Sequence, residues 1–222
     1  MNRITTNSYD CSAKRVVLLA HGAGAPMDSP FMEQLAAALD RQGIATVRFE
    51  FPYMSRRRQD GKKRPPDRMP ALLKSFREEV GRVRQETSPD CRIIVAGKSM
   101  GGRVASMLAS EDAEELAAVI CFGYPFHPPG KPDRWRIDHL SSVGCPLMIV
   151  QGTRDPFGKP DEIQCREDIA GVSRWCWLVG GNHDFQTLVK QSEKQADLIE
   201  RSALESRQFL DDVLTPSSDS SG

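Results

Sequence analysis

Arg92-Ile93-Ile94-Val95-Ala96-Gly97-Lys98-Ser99-Met100-Gly101 is the stretch on which the fold turns. A short apolar run, rich in β-branched residues, meets a glycine-flanked serine and then a helix-forming segment. The run reads as a buried strand. Glycines on either side of Lys98-Ser99-Met100 allow a turn too tight for a Cβ, and such a turn lifts the serine hydroxyl clear of the sheet edge. A chance glycine-serine pattern would lack the strand before it and the helix after it. Gly97-Lys98-Ser99 also ends like a phosphate-binding loop, but that motif needs a glycine at position 92, which is Arg92.

Outward from this stretch the chain repeats one pattern. Further strands are expected at 16–20, 44–49, 117–122, 147–151 and 174–179. Helices are expected at 30–41, 70–85 and 101–110, with a final one of about twenty residues within 185–210. The helix over 70–85 places Leu72, Leu73, Phe76, Val80 and Val83 on one face. Strands separated by helices imply right-handed crossovers and a mainly parallel sheet covered on both faces, an α/β architecture. Residues 15–212 are expected to form a single domain, with 1–14 as an N-terminal extension and 213–222 as a disordered tail.

The 222 residues carry 30 basic and 30 acidic side chains, so no net field recruits nucleic acid or a membrane surface. Basic charge is concentrated in Arg56-Arg57-Arg58-Gln59-Asp60-Gly61-Lys62-Lys63-Arg64. Its following prolines and lack of aromatics favour a solvated loop, although it is also a candidate for attracting an anionic substrate such as a carboxylated ester. The six cysteines show no C-x-x-C or zinc-ligand spacing, so no metal site is expected. The opening residues are polar and no apolar stretch reaches membrane-spanning length. The expectation is a cytoplasmic protein with free thiols.

A serine hydroxyl needs a base to act as a nucleophile at neutral pH. Among the four histidines, His183 in Gly180-Gly181-Asn182-His183-Asp184 falls just past the carboxyl end of the last strand, on the edge expected for Ser99. A histidine base needs an acceptor to set its tautomer. Asp155 follows Val150-Gln151-Gly152-Thr153-Arg154 at another strand end. Asp161 and Asp184 are rivals: Asp161 has the context of a helix N-cap, and Asp184 adjoins His183, where neighbouring side chains diverge. The order Ser99, Asp155, His183 is that of α/β-hydrolases. His21-Gly22-Ala23-Gly24, after another strand end, supplies backbone that can approach a reacting carbonyl. The N–H groups of Ala23 and Met100 are the expected oxyanion donors, with His21 bracing the loop.

These segments resemble the α/β-hydrolase superfamily, and within it the compact dienelactone-hydrolase-like branch that includes the testis-expressed and chromatin-complex hydrolase-like proteins. The likeness also rests on Arg48-Phe49-Glu50-Phe51-Pro52-Tyr53, on the run from Gly123 through Pro132, on Gln151 through Gly158, and on Gly181-Asn182-His183-Asp184-Phe185. It covers residues 15 to about 210 and implies a Ser-Asp-His core carried by Ser99, Asp155 and His183. The connection from Gly123 to Cys145 is too short for a large helical cap, so a small or open site is expected. Gly24, Tyr53, Tyr124, Phe126 and His127 are candidate cleft residues. The expected activity is cleavage of a small ester or thioester, with no metal or organic cofactor. A non-catalytic interaction module, or an acyltransferase or peptidase using the same triad, remain as alternatives.

Overall fold

The computed structural model describes residues 2–166 and 169–214. Seven strands form one sheet in the order β1-β3-β2-β4-β5-β6-β7. They are β1 (Arg3–Thr5), β2 (Arg15–Ala20), β3 (Ala45–Phe49), β4 (Arg92–Lys98), β5 (Ala118–Phe122), β6 (Leu147–Gly152) and β7 (Arg174–Leu178). All neighbours pair in parallel except β1, which lies antiparallel on β3. The helices are α1 (Pro30–Arg41), α2 (Pro52–Asp60), α3 (Met69–Glu86), α4 (Met100–Glu111), α5 (Pro160–Gln164) and α6 (Gln195–Leu214).

Period-two alternation splits the strand side chains between two cores. Val16, Leu18, Ile93, Val95, Cys121 and Ile149 face α3 and α4. Val17, Leu19, Ile94, Ala96, Ile120 and Val150 face α1 and α6. With both faces covered, the open positions are the strand ends. The carboxyl ends of β4, β6 and β7 lead directly into the segments carrying Ser99, Asp155 and His183.

Four elements differ from the sequence expectation. Arg3–Thr5, placed outside the domain, pair with Val47, Arg48 and Phe49; three residues are too few to show a period. The basic run is half helix. Pro52 opens α2 and Gly61, at φ 69°, closes it by donating to the Arg57 carbonyl at 2.8 Å. Only Tyr53 and Met54 are buried there, so no apolar stripe announced the helix. Asp161 is not an N-cap: Lys159 occupies that position, and the Lys159 amide donates to Glu162 at 2.8 Å.

The last helix starts at Gln195, ten residues later than the expected segment opens. Phe185 takes a left-handed φ of 62° and buries its ring 5.4 Å from that of Phe31, which turns the chain away from helical geometry. Of the expected disordered tail, residues 215–222 lie outside the described residues, while Val213 and Leu214 belong to α6.

Candidate active site

Three glycines let α4 start against the sheet. A Cβ on Gly97 would lie 2.2 Å from the Gly101 carbonyl carbon, and one on Gly101 would lie 2.5 Å from the Ala20 carbonyl oxygen. A Cβ on Gly102 would lie 2.8 Å from the Gly97 carbonyl oxygen. Strand β4 and helix α4 therefore touch backbone to backbone, and Ser99 is forced into the bend between them at φ 53°, ψ −116°. A non-glycine residue in such a conformation costs about 1–3 kcal/mol, which the surrounding packing must offset. The bend is held from the other side by the Ser99 amide, which donates to the Phe122 carbonyl at 2.9 Å.

Ser99 Oγ lies 2.9 Å from His183 Nε2, and His183 Nδ1 lies 2.8 Å from Asp155 Oδ2. Asp155 is fully buried. Its Oδ2 also accepts from Gln151 Nε2 at 3.0 Å, and its Oδ1 accepts from the Phe157 amide at 2.9 Å. A buried acceptor of this kind places the imidazole proton on Nδ1, leaving Nε2 free to receive the serine proton. The two loops are joined near their roots: the Arg154 amide donates to the Gly181 carbonyl at 2.9 Å. Phe157, not singled out from the sequence, lies against the His183 ring with centroids 4.2 Å apart. Its place beside Asp155 in Asp155-Pro156-Phe157-Gly158 was the available signal.

The rival carboxylates go elsewhere. Asp184 diverges from His183, and its Oδ1 lies 3.2 Å from Lys98 Nζ. Lys98 is buried beside the Phe31 ring. Burial pushes its ammonium below the ordinary lysine range, with Asp184 and Asp155 pulling it back up. Asp161 lies within α5, and the carboxylate at His183 Nδ1 is that of Asp155.

The His21-Gly22-Ala23-Gly24 loop lies against the elbow, where a Cβ on Gly22 would be 3.7 Å from Ser99 Cβ. Neither the Ala23 nor the Met100 amide has an acceptor among the described residues. His21 Nε2 accepts from the Phe51 amide at 3.1 Å, which places the proton on Nδ1 to donate to the Gly22 carbonyl at 2.7 Å. Burial lowers the His21 pKa, so the ring stays neutral in this bracing position.

Two cavities flank the serine. One of about 330 Å³ is lined by Gly24, Phe31, Met32, Lys98, Phe157 and His183. The other, about 410 Å³, lies toward Met100 and Leu72. Of the candidate cleft residues, only Gly24 faces either space. Tyr53 is buried, and its hydroxyl donates to the Ala23 carbonyl at 3.0 Å, so it supports the loop from behind. Tyr124 and Phe126 are fully buried with their ring centroids 4.7 Å apart. His127 is buried too, its Nδ1 3.1 Å from the Pro128 carbonyl. Tyr124 and Phe126 pack inward because their apolar rings join the core with Ile137 and Leu140 of the same connection.

Three cations of the basic run are paired with carboxylates. Arg56 meets Asp67 at 2.5 Å, Arg58 meets the buried Glu50 at 2.5 Å, and Arg64 meets Asp60 at 2.6 Å. Among the described residues, no helix is long and apolar enough to cross a membrane.

A strained serine between strand and helix, at the carboxyl edge of a parallel sheet and in line with a histidine and a buried aspartate, defines the class of α/β-hydrolase folds. The model of the alpha/beta hydrolase domain family matches residues 13–211, and the chain belongs to that family. Among solved structures it is similar to dienelactone hydrolase from Anabaena variabilis, with a TM-score of 0.68 at 20% identity over 92% of this chain and 88% of that one. An α/β serine hydrolase without lid from Xanthomonas campestris gives a TM-score of 0.62 at 18% identity, covering 99% and 89%. A serine hydrolase homologue from Coxiella burnetii gives 0.62 at 19% identity, covering 96% and 91%. At these identities the likeness is one of fold, and among the described residues no cap domain covers the strand ends.

Proposed function

We propose that the protein is a serine hydrolase that cleaves a small ester or thioester through an acyl-enzyme. The observation that carries this reading is the continuous relay from Ser99 Oγ through His183 to Asp155, with contacts of 2.9 and 2.8 Å. His183 Nε2 takes the hydroxyl proton as Ser99 Oγ attacks the carbonyl carbon. The negative charge that develops on the carbonyl oxygen falls to the unengaged amides of Ala23 and Met100, each worth about 3–4 kcal/mol in comparable sites. His183 then returns the proton to the leaving alcohol or thiol. Water, deprotonated by the same nitrogen, releases the acid.

A scaffold gains nothing from a strained serine or from a loop amide, that of Ala23, left without an acceptor beside it. Both features suit a site arranged around a charge that appears only during reaction. The connection between β5 and β6 holds nothing larger than the single turn at Leu140–Ser142, so long acyl chains find little enclosure. Cavities of about 330 and 410 Å³ suit short ones.

Labelling by a fluorophosphonate probe tests the reading. The wild type is expected to label, and Ser99→Ala and His183→Ala are not. Nitrophenyl acetate and butyrate should be turned over faster than the palmitate. A wild type that ignores the probe while folded, or a Ser99→Ala variant that still labels, overturns the assignment.

Tyr53 offers a finer test, because it acts only through the loop it supports. Tyr53→Phe removes one hydroxyl that donates to the Ala23 carbonyl and is 3.3 Å from that of Gly22. We expect kcat to fall about three- to tenfold while KM moves less, since the loop amides bind charge mainly in the transition state. An equal rise in KM with kcat intact would assign Tyr53 to substrate binding instead.

A further inference from the structure

The mechanism leaves two cations beside the nucleophile without a role. The cavity of about 410 Å³ is lined by Ser99, Met100, Phe157, Asp67, Arg103 and Arg136, among others. Arg103 stands on the first turn of α4, four residues past the serine. Arg136 comes from the β5–β6 connection and is clamped through its backbone: its amide donates to the Phe126 carbonyl at 2.8 Å, and its carbonyl accepts from Tyr124 Oη at 2.7 Å. The buried aromatic residues of that connection thus position Arg136.

Neither guanidinium has an acceptor among the described residues. Arg103 Nε is buried without a partner. By contrast, Arg15, Arg58, Arg64, Arg77, Arg82, Arg174 and Arg207 each meet a carboxylate. The one carboxylate lining the cavity, Asp67, is already held by Arg56 at 2.5 Å. Burial, and then the charge of Arg103, hold the Arg136 guanidinium below its ordinary range. The same burial and the same neighbour keep His139 neutral, pushed down to about 4, so its ring adds no further positive charge. Two half-buried like charges repel one another unless an anion lies between them, and planar guanidinium groups match the two oxygens of a carboxylate.

We propose that Arg103 and Arg136 bind a carboxylate carried by the ester substrate, so that the protein selects anionic over neutral esters. The inference rests on the hydrolase reading for its chemistry and on this cleft for its specificity. It also separates anion selection from the basic run over 56–64, whose Arg56, Arg58 and Arg64 are engaged with carboxylates of the chain itself.

The test compares matched esters that differ by one charge. On the acyl side these are 4-nitrophenyl hemiglutarate and its methyl ester, followed by nitrophenolate release; on the leaving-group side, 4-acetoxybenzoate and its methyl ester. For one of the two pairs, the wild type is expected to favour the anion in kcat/KM by about tenfold or more, and Arg103→Gln and Arg136→Gln should each remove most of that ratio. The pair that responds tells which half of the substrate carries the charge. A ratio near one for both pairs in the wild type overturns the proposal, as does a ratio unchanged in both variants.

Calorimetry of hemiglutarate ester and 4-acetoxybenzoate binding to Ser99→Ala separates this outcome from failure of the hydrolase reading. If either anion binds, and binding is lost when Arg136→Gln is added, the cleft assignment stands even where the wild type turns over no ester. If neither binds and the wild type hydrolyses the neutral esters equally well, the hydrolase reading stands and the cleft assignment falls.

Discussion

Ser99→Ala is expected to lower kcat/KM for a short nitrophenyl ester by about 10⁴-fold or more, the scale at which loss of a serine nucleophile is felt when its partners remain. In this mechanism the hydroxyl supplies the bond to the acyl group, and Ser29 and Lys98, which line the same cavity, do not have His183 Nε2 as a partner. His183→Ala should be of similar size, because Ser99 Oγ then has no acceptor for its proton within 2.9 Å. The two losses should not add: once the relay is broken, removing its second member costs little further. What survives in the double variant is stabilisation of the oxyanion by the Ala23 and Met100 amides. Steady-state kinetics of the two single variants and the double variant decide the matter. Activity of Ser99→Ala within tenfold of wild type, or losses that multiply in the double variant, would remove the relay from the mechanism.

Gly97→Ala should be among the most damaging single methyl additions at the described glycines. Its Cβ would meet the carbonyl carbon of Gly101 at 2.2 Å, the amide of Gly102 at 2.5 Å and the carbonyl oxygen of Gly101 at 2.6 Å. All three are backbone atoms of α4, so no rotamer change relieves the clash and the helix must move off the sheet. Overpacking that cannot relax costs about 3 kcal/mol or more, which in a chain of this size lowers the melting temperature by about 10 °C. The displaced helix carries Met100 and Arg103 with it, so activity should fall as well. Gly24→Ala is the matched control, since nothing lies within 4 Å of its added Cβ, and its stability should stay within about 1 kcal/mol of wild type. Thermal unfolding of both variants measures the contrast. If Gly97→Ala melts with the wild type, the contact between β4 and α4 is not what shapes the elbow.

The order of strands and helices was legible because burial on both faces leaves continuous apolar runs at 16–20, 92–96 and 147–151, and a one-sided helix leaves a stripe over 70–85. From those elements alone, Ser99, Asp155 and His183 fall at the carboxyl ends of three strands, which is a statement about chain position. Such reasoning stops where a segment is short, charged or irregular. Arg3–Thr5 and Pro52–Asp60 carry too few buried positions to show a period: the first took its structure from a partner distant in sequence, Phe49, and the second is a charged helix with only Tyr53 and Met54 buried.

Side-chain direction in the loops was likewise beyond local reading. Tyr124 and Phe126 resembled a cleft wall, yet they turn into the core, and it is Arg136, with Arg103 of α4, that faces the space beside the serine. Asp184 adjoins the histidine in the chain, yet it meets Lys98. By itself, then, the amino-acid order determined which residues stand at the rim of the sheet, since strand period and glycine spacing are local properties. Only the tertiary structure decided which of them face one another, because that depends on contacts between loops joined through the sheet rather than along the chain.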